Sequence, residues 1–209
     1  MTKQPFFPPR RGYHHGSLKD ALLEAARMLV AERGPAGFTL SEAAKRVGVT
    51  AAAPYRHFSD RDDLMGELAR RGFEAFTLKL ETAFDDGRPD PRTALQRVGQ
   101  AYLALAREEP GLYHSMFSNA AALDAPGPGA AAHRALDVLS AAAAALLRDL
   151  GQPKADPRPL AFLIWSMSHG VATLILSGHL TPEAGCDPDA VLRDGLAAML
   201  IAWSGRARG

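Results

Sequence analysis

The sequence predicts an all-α protein. Nearly half of its 209 residues are apolar (47%), apolar residues recur at three- and four-residue spacing along most of the chain, and period-two runs of Val, Ile and Thr are scarce. The length allows one large domain or two small ones, and a real core.

Taken in order, the elements number about nine helices. Ser17 followed by Asp20 predicts a helix cap. Leu18, Leu22, Ala25 and Leu29 keep helical spacing until Gly34-Pro35 stops the run. Thr39 with Glu42 is a capping-box pair opening a short helix, in which Leu40, Ala43, Ala44 and Val47 face inward and which Gly48 ends. A four-residue break leads to a second short helix ending at Phe58. Ser59-Asp60 then caps a long helix striped with Met65, Leu68, Gly72, Phe73, Phe76, Leu80 and Phe84. "DDGRPDP", residues 85–91, is a turn cluster and a candidate domain boundary. Beyond it come a helix bearing Leu95, Val98, Tyr102 and Leu105, the short "GLYHSMF", and a "DAPGPG" loop. An Ala-rich helix from Ala130 to Leu150, an uncharged helix after Pro159, and a last helix aligning Leu192, Leu196, Met199 and Trp203 complete the chain.

Formal net charge is only +1, but it is unevenly placed. Residues 1–60 hold nine Lys and Arg against five Asp and Glu, so this head carries +4 and the remainder −3. A basic head on a slightly acidic body is the asymmetry expected when one end meets phosphate. "MTKQPFFPPRRGYHHG" reads as a flexible basic arm, with no apolar stretch of signal-peptide length. Cys186 is the only cysteine, which excludes an intrachain disulfide and suits a reducing, cytoplasmic setting. It reads as an incidental loop thiol, no basic neighbour being visible to lower its pKa. From Pro159 to Pro182 there is no charged residue, and "LAFLIWSMSHGVATLIL" raises the question of a membrane span. Ser166, Ser168, His169, Gly170 and Thr173 in its middle favour instead a helix at the heart of a helical domain or dimer.

"GVTAAAPYRHF", residues 48–58, places a proline where a groove-reading helix should be. Two short helices around a Gly turn make a helix-turn-helix by spacing. Ala51, Ala52 and Ala53 let the backbone approach base edges. Tyr55 and His57 suit phosphate oxygens, and Arg56 suits phosphate or a guanine edge. Val49 and Phe58 serve as anchors. With Thr50 or Ala51 as cap, Pro54 falls in or just after the first turn, where the N–H it lacks has little or no helical role.

Residues 16–69 resemble the N-terminal DNA-binding domain of the TetR family of bacterial transcriptional regulators, through "LxEAARxLxAERG", Thr39 before "SEAAKRVGV", and "YRHFSDRDDL". "WSMSHG", residues 165–170, resembles the subgroup whose C-terminal domain is named for a Trp-His-Gly helix. Three alanines and a proline stand where many relatives have polar or glycine residues, which leaves fewer base-reading side chains. The resemblance implies a flexible arm over residues 1–15 and a three-helix helix-turn-helix domain over 16–62. It implies a ligand-binding and dimerisation domain over 63–209, with a linking helix at about 61–84. Thr39 and Ser41 would hold phosphates, Thr50, Ala51, Ala52 and Ala53 would face bases, and Pro54, Tyr55, Arg56 and His57 would complete the contact. The last two helices would pair with their copies to form a homodimer on a palindromic double-stranded operator, with half-sites one or more turns of DNA apart. A small-molecule effector would change the spacing of the two heads and release the DNA.

For that effector, apolar or aromatic in character, the candidate pocket residues are Tyr102, Tyr113, Met116, Phe117, Trp165 and His169. Each has a packing role as its alternative. No nucleophile elbow, phosphate loop or carboxylate pair accompanies Tyr113-His114, so no enzyme is expected. His14-His15 lack further ligands at metal spacing, so neither metal nor cofactor is expected. Two function classes stand: a ligand-responsive repressor, or a helical carrier or interaction protein without sequence-specific DNA binding.

Overall fold

The computed structural model describes residues 15–118, 126–181, 183 and 185–206. The arm, with Lys3, Arg10, Arg11 and His14, lies outside the described residues, as do Asp124 and Ala125 of the expected "DAPGPG" loop. Among the described residues there are eight α-helices, two 3-10 turns and no strand. The helices are α1 (His15–Arg33), α2 (Leu40–Arg46), α3 (Arg61–Phe84), α4 (Pro91–Glu108), α5 (Pro110–Phe117), α6 (Pro126–Asp149), α7 (Arg158–Leu176) and α8 (Pro188–Arg206).

Three boundaries differ from the sequence expectation. Helix α1 opens at His15, so Ser17 lies within its first turn instead of capping it. Helix α6 opens at Pro126, inside the expected loop. Prolines 126 and 128 sit in its first turn, where backbone N–H groups have no helical acceptor to lose. The second helix of the helix-turn-helix is a single 3-10 turn, Ala53–Arg56, preceded by Ala52 as cap.

Packing divides the chain into two compact units, one of residues up to Phe73 together with Glu109–Ala130, the other of Glu74–Glu108 and the residues from Ala131. The functional boundary expected between residues 62 and 63 remains a proposal; packing draws its line inside α3 and assigns α5 to the first unit. The turn at Asp85–Gly87 belongs wholly to the second.

The core of the first unit is Leu22, Leu23, Ala26, Leu29 and Val30 of α1, Leu40 and Ala43 of α2, Leu64 and Leu68 of α3, and Leu112 of α5, with Phe58 from the segment before α3. Helix α5 reaches this core because Gly111 has no side chain: a Cβ there would stand 2.1 Å from the Arg27 carbonyl oxygen. The Arg27 guanidinium joins the same two helices, donating to Glu24 on its own helix and to Glu109 at 2.6 Å.

A charged network ties α1 to α3. Arg70 and Arg71 both donate to the Glu67 carboxylate at 2.7–2.9 Å, and Arg71 also reaches Asp20 at 2.7 Å. Hydrogen bonding from Arg70, reinforced by Arg71, lowers the Glu67 pKa to about 2, against the cost of burial. A folded-state pKa below the unfolded one adds stability above the unfolded value of about 4.3, and this is lost as pH falls through the folded value. Glu67→Gln should therefore lower the urea midpoint at pH 7, and the gap to wild type should narrow below about pH 4.5 and vanish near pH 2. A gap independent of pH would remove the carboxylate's charge from the explanation.

In the second unit, Leu95, Val98 and Tyr102 of α4 are buried with Leu160 and Ile164 of α7 and Leu192 and Leu196 of α8. Two close approaches use glycine. A Cβ on Gly99 would meet Leu192 at 3.1 Å, and one on Gly195 would meet the Met167 sulfur at 2.8 Å. Two helices, Gly127–Asp149 and Arg158–Leu176, are long and apolar enough to cross a membrane by length and composition. Helix α7 carries an exposed stripe, Phe162, Leu163, Ser166, Gly170, Thr173 and Leu174, at helical spacing. Val191 and Ile201 are exposed on α8, Ile201 at 74%.

Candidate nucleic-acid interface

The helix-turn-helix is built by three local devices. Thr39 closes a capping box: its hydroxyl accepts from the Glu42 backbone N–H at 3.2 Å, and its own N–H donates to the Glu42 carboxylate at 2.9 Å. At the other end of α2, Gly48 takes a left-handed φ of +76°, which turns the chain sharply where a Cβ would be strained. Then Pro54, buried, sets the start of the 3-10 turn. Its carbonyl accepts from the N–H groups of both His57 and Phe58, at 2.9 and 3.0 Å. Phe58 is buried in the head core and anchors the end of the segment. Asp60 caps α3, accepting from the Asp63 N–H at 2.8 Å.

Pairing decides which charges remain available. Arg33 donates to Glu42 at 2.7 Å, and Arg46 grips Glu32 with two bonds of 2.6 and 2.7 Å. These guanidiniums hold Glu42 and Glu32 below the usual carboxylate range, so the pairs stay ionised at neutral pH. Arg61 donates to the Phe38 carbonyl at 3.1 Å and stacks 4.9 Å from the Phe38 ring centroid. Lys19 and Arg27 are likewise beside carboxylates. Among the described residues of the first sixty, the cations without a carboxylate partner are Lys45 and Arg56, both exposed.

The sequence-predicted contact residues divide accordingly. Ser41, Thr50, Ala51, Ala52, Tyr55 and Arg56 are exposed, Tyr55 at 58%. Ala53 and His57 are half-buried. The side chains of Ser41, Thr50, Tyr55, Arg56 and His57 make no hydrogen bond or ion pair among the described residues. Thr39 is exposed, but its hydroxyl is engaged by Glu42 on both sides. Pro54 is buried and acts as scaffold. Lys45 is absent from the expected set. Its signal was present all the same: it follows Ser41 by four residues and so shares a face of α2.

The effector candidates fall into two groups. Tyr102, Trp165 and His169 meet in the second unit. The Trp165 indole N–H donates to the Tyr102 hydroxyl at 3.1 Å, and that hydroxyl lies 3.2 Å from His169 Nδ1. Burial lowers the His169 pKa, which favours the neutral imidazole. Tyr113, Met116 and Phe117 instead pack in the first unit. Phe117 stands edge-on to Phe73 at 5.5 Å, Tyr113 is tilted against Phe117, and Met116 covers Gly72. A groove of about 50 Å³ between α4 and α8 is lined by Gln96, Gln100 and Arg193, with none of the six candidates in its wall.

The matches to known proteins fit this arrangement. Residues 95–199 match the tetracyclin repressor-like C-terminal domain, and residues 22–68 match the bacterial regulatory proteins of the tetR family. The chain belongs to the TetR family. That family is one of DNA-binding transcription regulators with a helix-turn-helix, and repression and homodimers are typical of it. Over 95 residues it is 33% identical to the nucleoid occlusion factor SlmA of Vibrio cholerae, covering 45% of this chain and 48% of that protein. The matched stretch spans about half the length of such curated relatives. A protein of unknown function from Rhodococcus sp. RHA1 superposes with a TM-score of 0.75 at 28% identity, covering 92% of this chain and 98% of that one. SmeT, the repressor of the Stenotrophomonas maltophilia multidrug efflux pump SmeDEF, superposes with a TM-score of 0.64 at 26% identity, covering 88% and 89%. On the TetR frame, the exposed polar set on α2 and the 3-10 turn lies in the DNA-binding domain, and the Tyr102–Trp165–His169 trio lies in the C-terminal domain.

Proposed function

We propose that this TetR-family chain is a cytoplasmic repressor that binds a palindromic operator as a homodimer and leaves it when a small molecule binds the C-terminal domain. The observation that carries the DNA-reading part is the unengaged polar set. Ser41, Thr50, Tyr55, Arg56 and His57 have no partner among the described residues, in a head whose other described cations, Lys45 apart, are beside carboxylates or a carbonyl. Ser41 and Lys45 on α2 and His57 grip phosphates, Tyr55 and Arg56 reach phosphate or a base edge, and Thr50 through Ala53 face bases. Thr39 and Pro54 set the backbone that presents them.

Homodimerisation is supported by the large apolar side chains left exposed on the last two helices, Phe162, Leu163 and Leu174 of α7 and Val191 and Ile201 of α8. The resemblance of Trp165, His169 and Gly170 to the Trp-His-Gly helix supports assigning the C-terminal domain to that subgroup. An apolar or aromatic effector enters beside Tyr102, Trp165 and His169, breaks the hydroxyl from its two partners, and favours a head spacing that no longer fits the operator.

Gel shift on duplexes selected from a random pool tests the proposal. Binding should be specific and fall steeply with salt, since phosphate contacts release counterions. Arg56→Ala should cost about 1–3 kcal/mol, roughly 5- to 150-fold in affinity, with unchanged far-UV circular dichroism. Tyr55→Ala should weaken binding in the same direction, since the side chain is exposed and its loss leaves the core intact. A protein that selects no duplex, even at low salt, would return the helical-carrier alternative.

A further inference from the structure

We propose that each operator half-site is read largely through thymine 5-methyl groups, by the side-chain methyls of Ala51 and Ala52. The inference rests on the DNA-reading function proposed above and names its base preference. Ala51 and Ala52 are exposed at the tip of the turn that enters the 3-10 segment, and buried Pro54 and Phe58 fix that turn from behind. Neither alanine side chain has a donor or an acceptor, so hydrogen-bonded discrimination by either side chain is impossible. What a Cβ can meet in the major groove is another methyl, and thymine alone among the four bases displays one there.

The neighbouring groups narrow the code further. Thr50 is exposed and adds one hydroxyl and one methyl. Arg56 is the cation on this segment and has no carboxylate partner, which suits it to one guanine or one phosphate. On this reading surface the donors are confined to Thr50, Tyr55 and Arg56, while Ala51 and Ala52 present a methyl and nothing else. Short side chains also require the backbone to come close to the base edges. A loss of one methyl from the DNA is then felt as a void, not filled by a longer side chain swinging in.

The experiment uses the wild-type full-length chain and its selected operator, with thymines replaced one at a time by deoxyuridine, which keeps every hydrogen-bonding group and removes only the 5-methyl. Salt is held constant. Replacement at one or two thymines per half-site should weaken binding about fourfold for each methyl. Ala51→Gly or Ala52→Gly should lose the preference at the matching position, so that the thymine and uracil operators bind that variant alike. If uracil is tolerated at every thymine while the operator is still bound specifically, the methyl reading is overturned and the DNA-reading function stands. If no duplex is selected at all, both fall.

Discussion

Leu174→Asp and Ile201→Asp should each convert the proposed homodimer into a folded monomer at micromolar concentration and reduce operator affinity more than a hundredfold. Both side chains are exposed in the protomer, at 45% and 74%, so a carboxylate there costs the isolated chain little. In a two-fold symmetric interface every substitution occurs twice, and each new carboxylate would be buried without a partner, at several kcal/mol apiece. Operator affinity falls with it, because a monomer reads one half-site alone. Sedimentation or light scattering checks the mass, and circular dichroism checks that the helices remain. Two variants that keep the wild-type mass would show that α7 and α8 do not meet their copies. A monomer that still held the operator at full affinity would detach dimerisation from DNA reading.

Gly111→Ala should be among the most destabilising single-methyl additions in the chain. The new Cβ would fall 2.1 Å from the Arg27 carbonyl oxygen, backbone against backbone, with no flexible side chain to give way. Overpacking of this kind costs about 3 kcal/mol at the upper end of its range, and for a chain of this size that lowers the melting temperature by roughly 10 °C. Gly66→Ala is the matched control. It lies within α3 in the same unit, where a Cβ would touch only Pro128 at 3.9 Å. There the helix gains about 0.5–1 kcal/mol from the replacement of glycine. A Gly111→Ala protein melting with the wild type would mean that α5 does not dock on α1 as closely as the structure has it.

Much of the fold could be read before any coordinate. Helical periodicity gave the stripes of α3, α4 and α8, and the Thr39–Glu42 capping box occurs as its spacing predicts. The misjudged ends have a common cause. Proline and serine punctuate a sequence, yet both are accepted in the first turn of a helix, as at Pro126, Pro128 and Ser17. The helix expected to end at Phe58 is a single 3-10 turn, with buried Pro54 near its start. The DNA-reading segment was legible as a motif, because its residues are contiguous. Lys45 is not legible in the same way, because its availability depends on what other helices do with their carboxylates.

By itself the sequence determined that the chain is helical, that its head holds a helix-turn-helix, and that the TetR family is its relative. Those properties are written in local spacing, capping chemistry and contiguous motifs. Tertiary structure decided which side chains are at liberty and which are consumed. Arg27 meets Glu109 across 82 positions and Tyr102 meets His169 across 67. Glu32 takes Arg46 out of the reading surface, while Arg56 stays outside any such pair. Charge is fixed by composition, but its availability depends on distances between elements, and folding sets those distances.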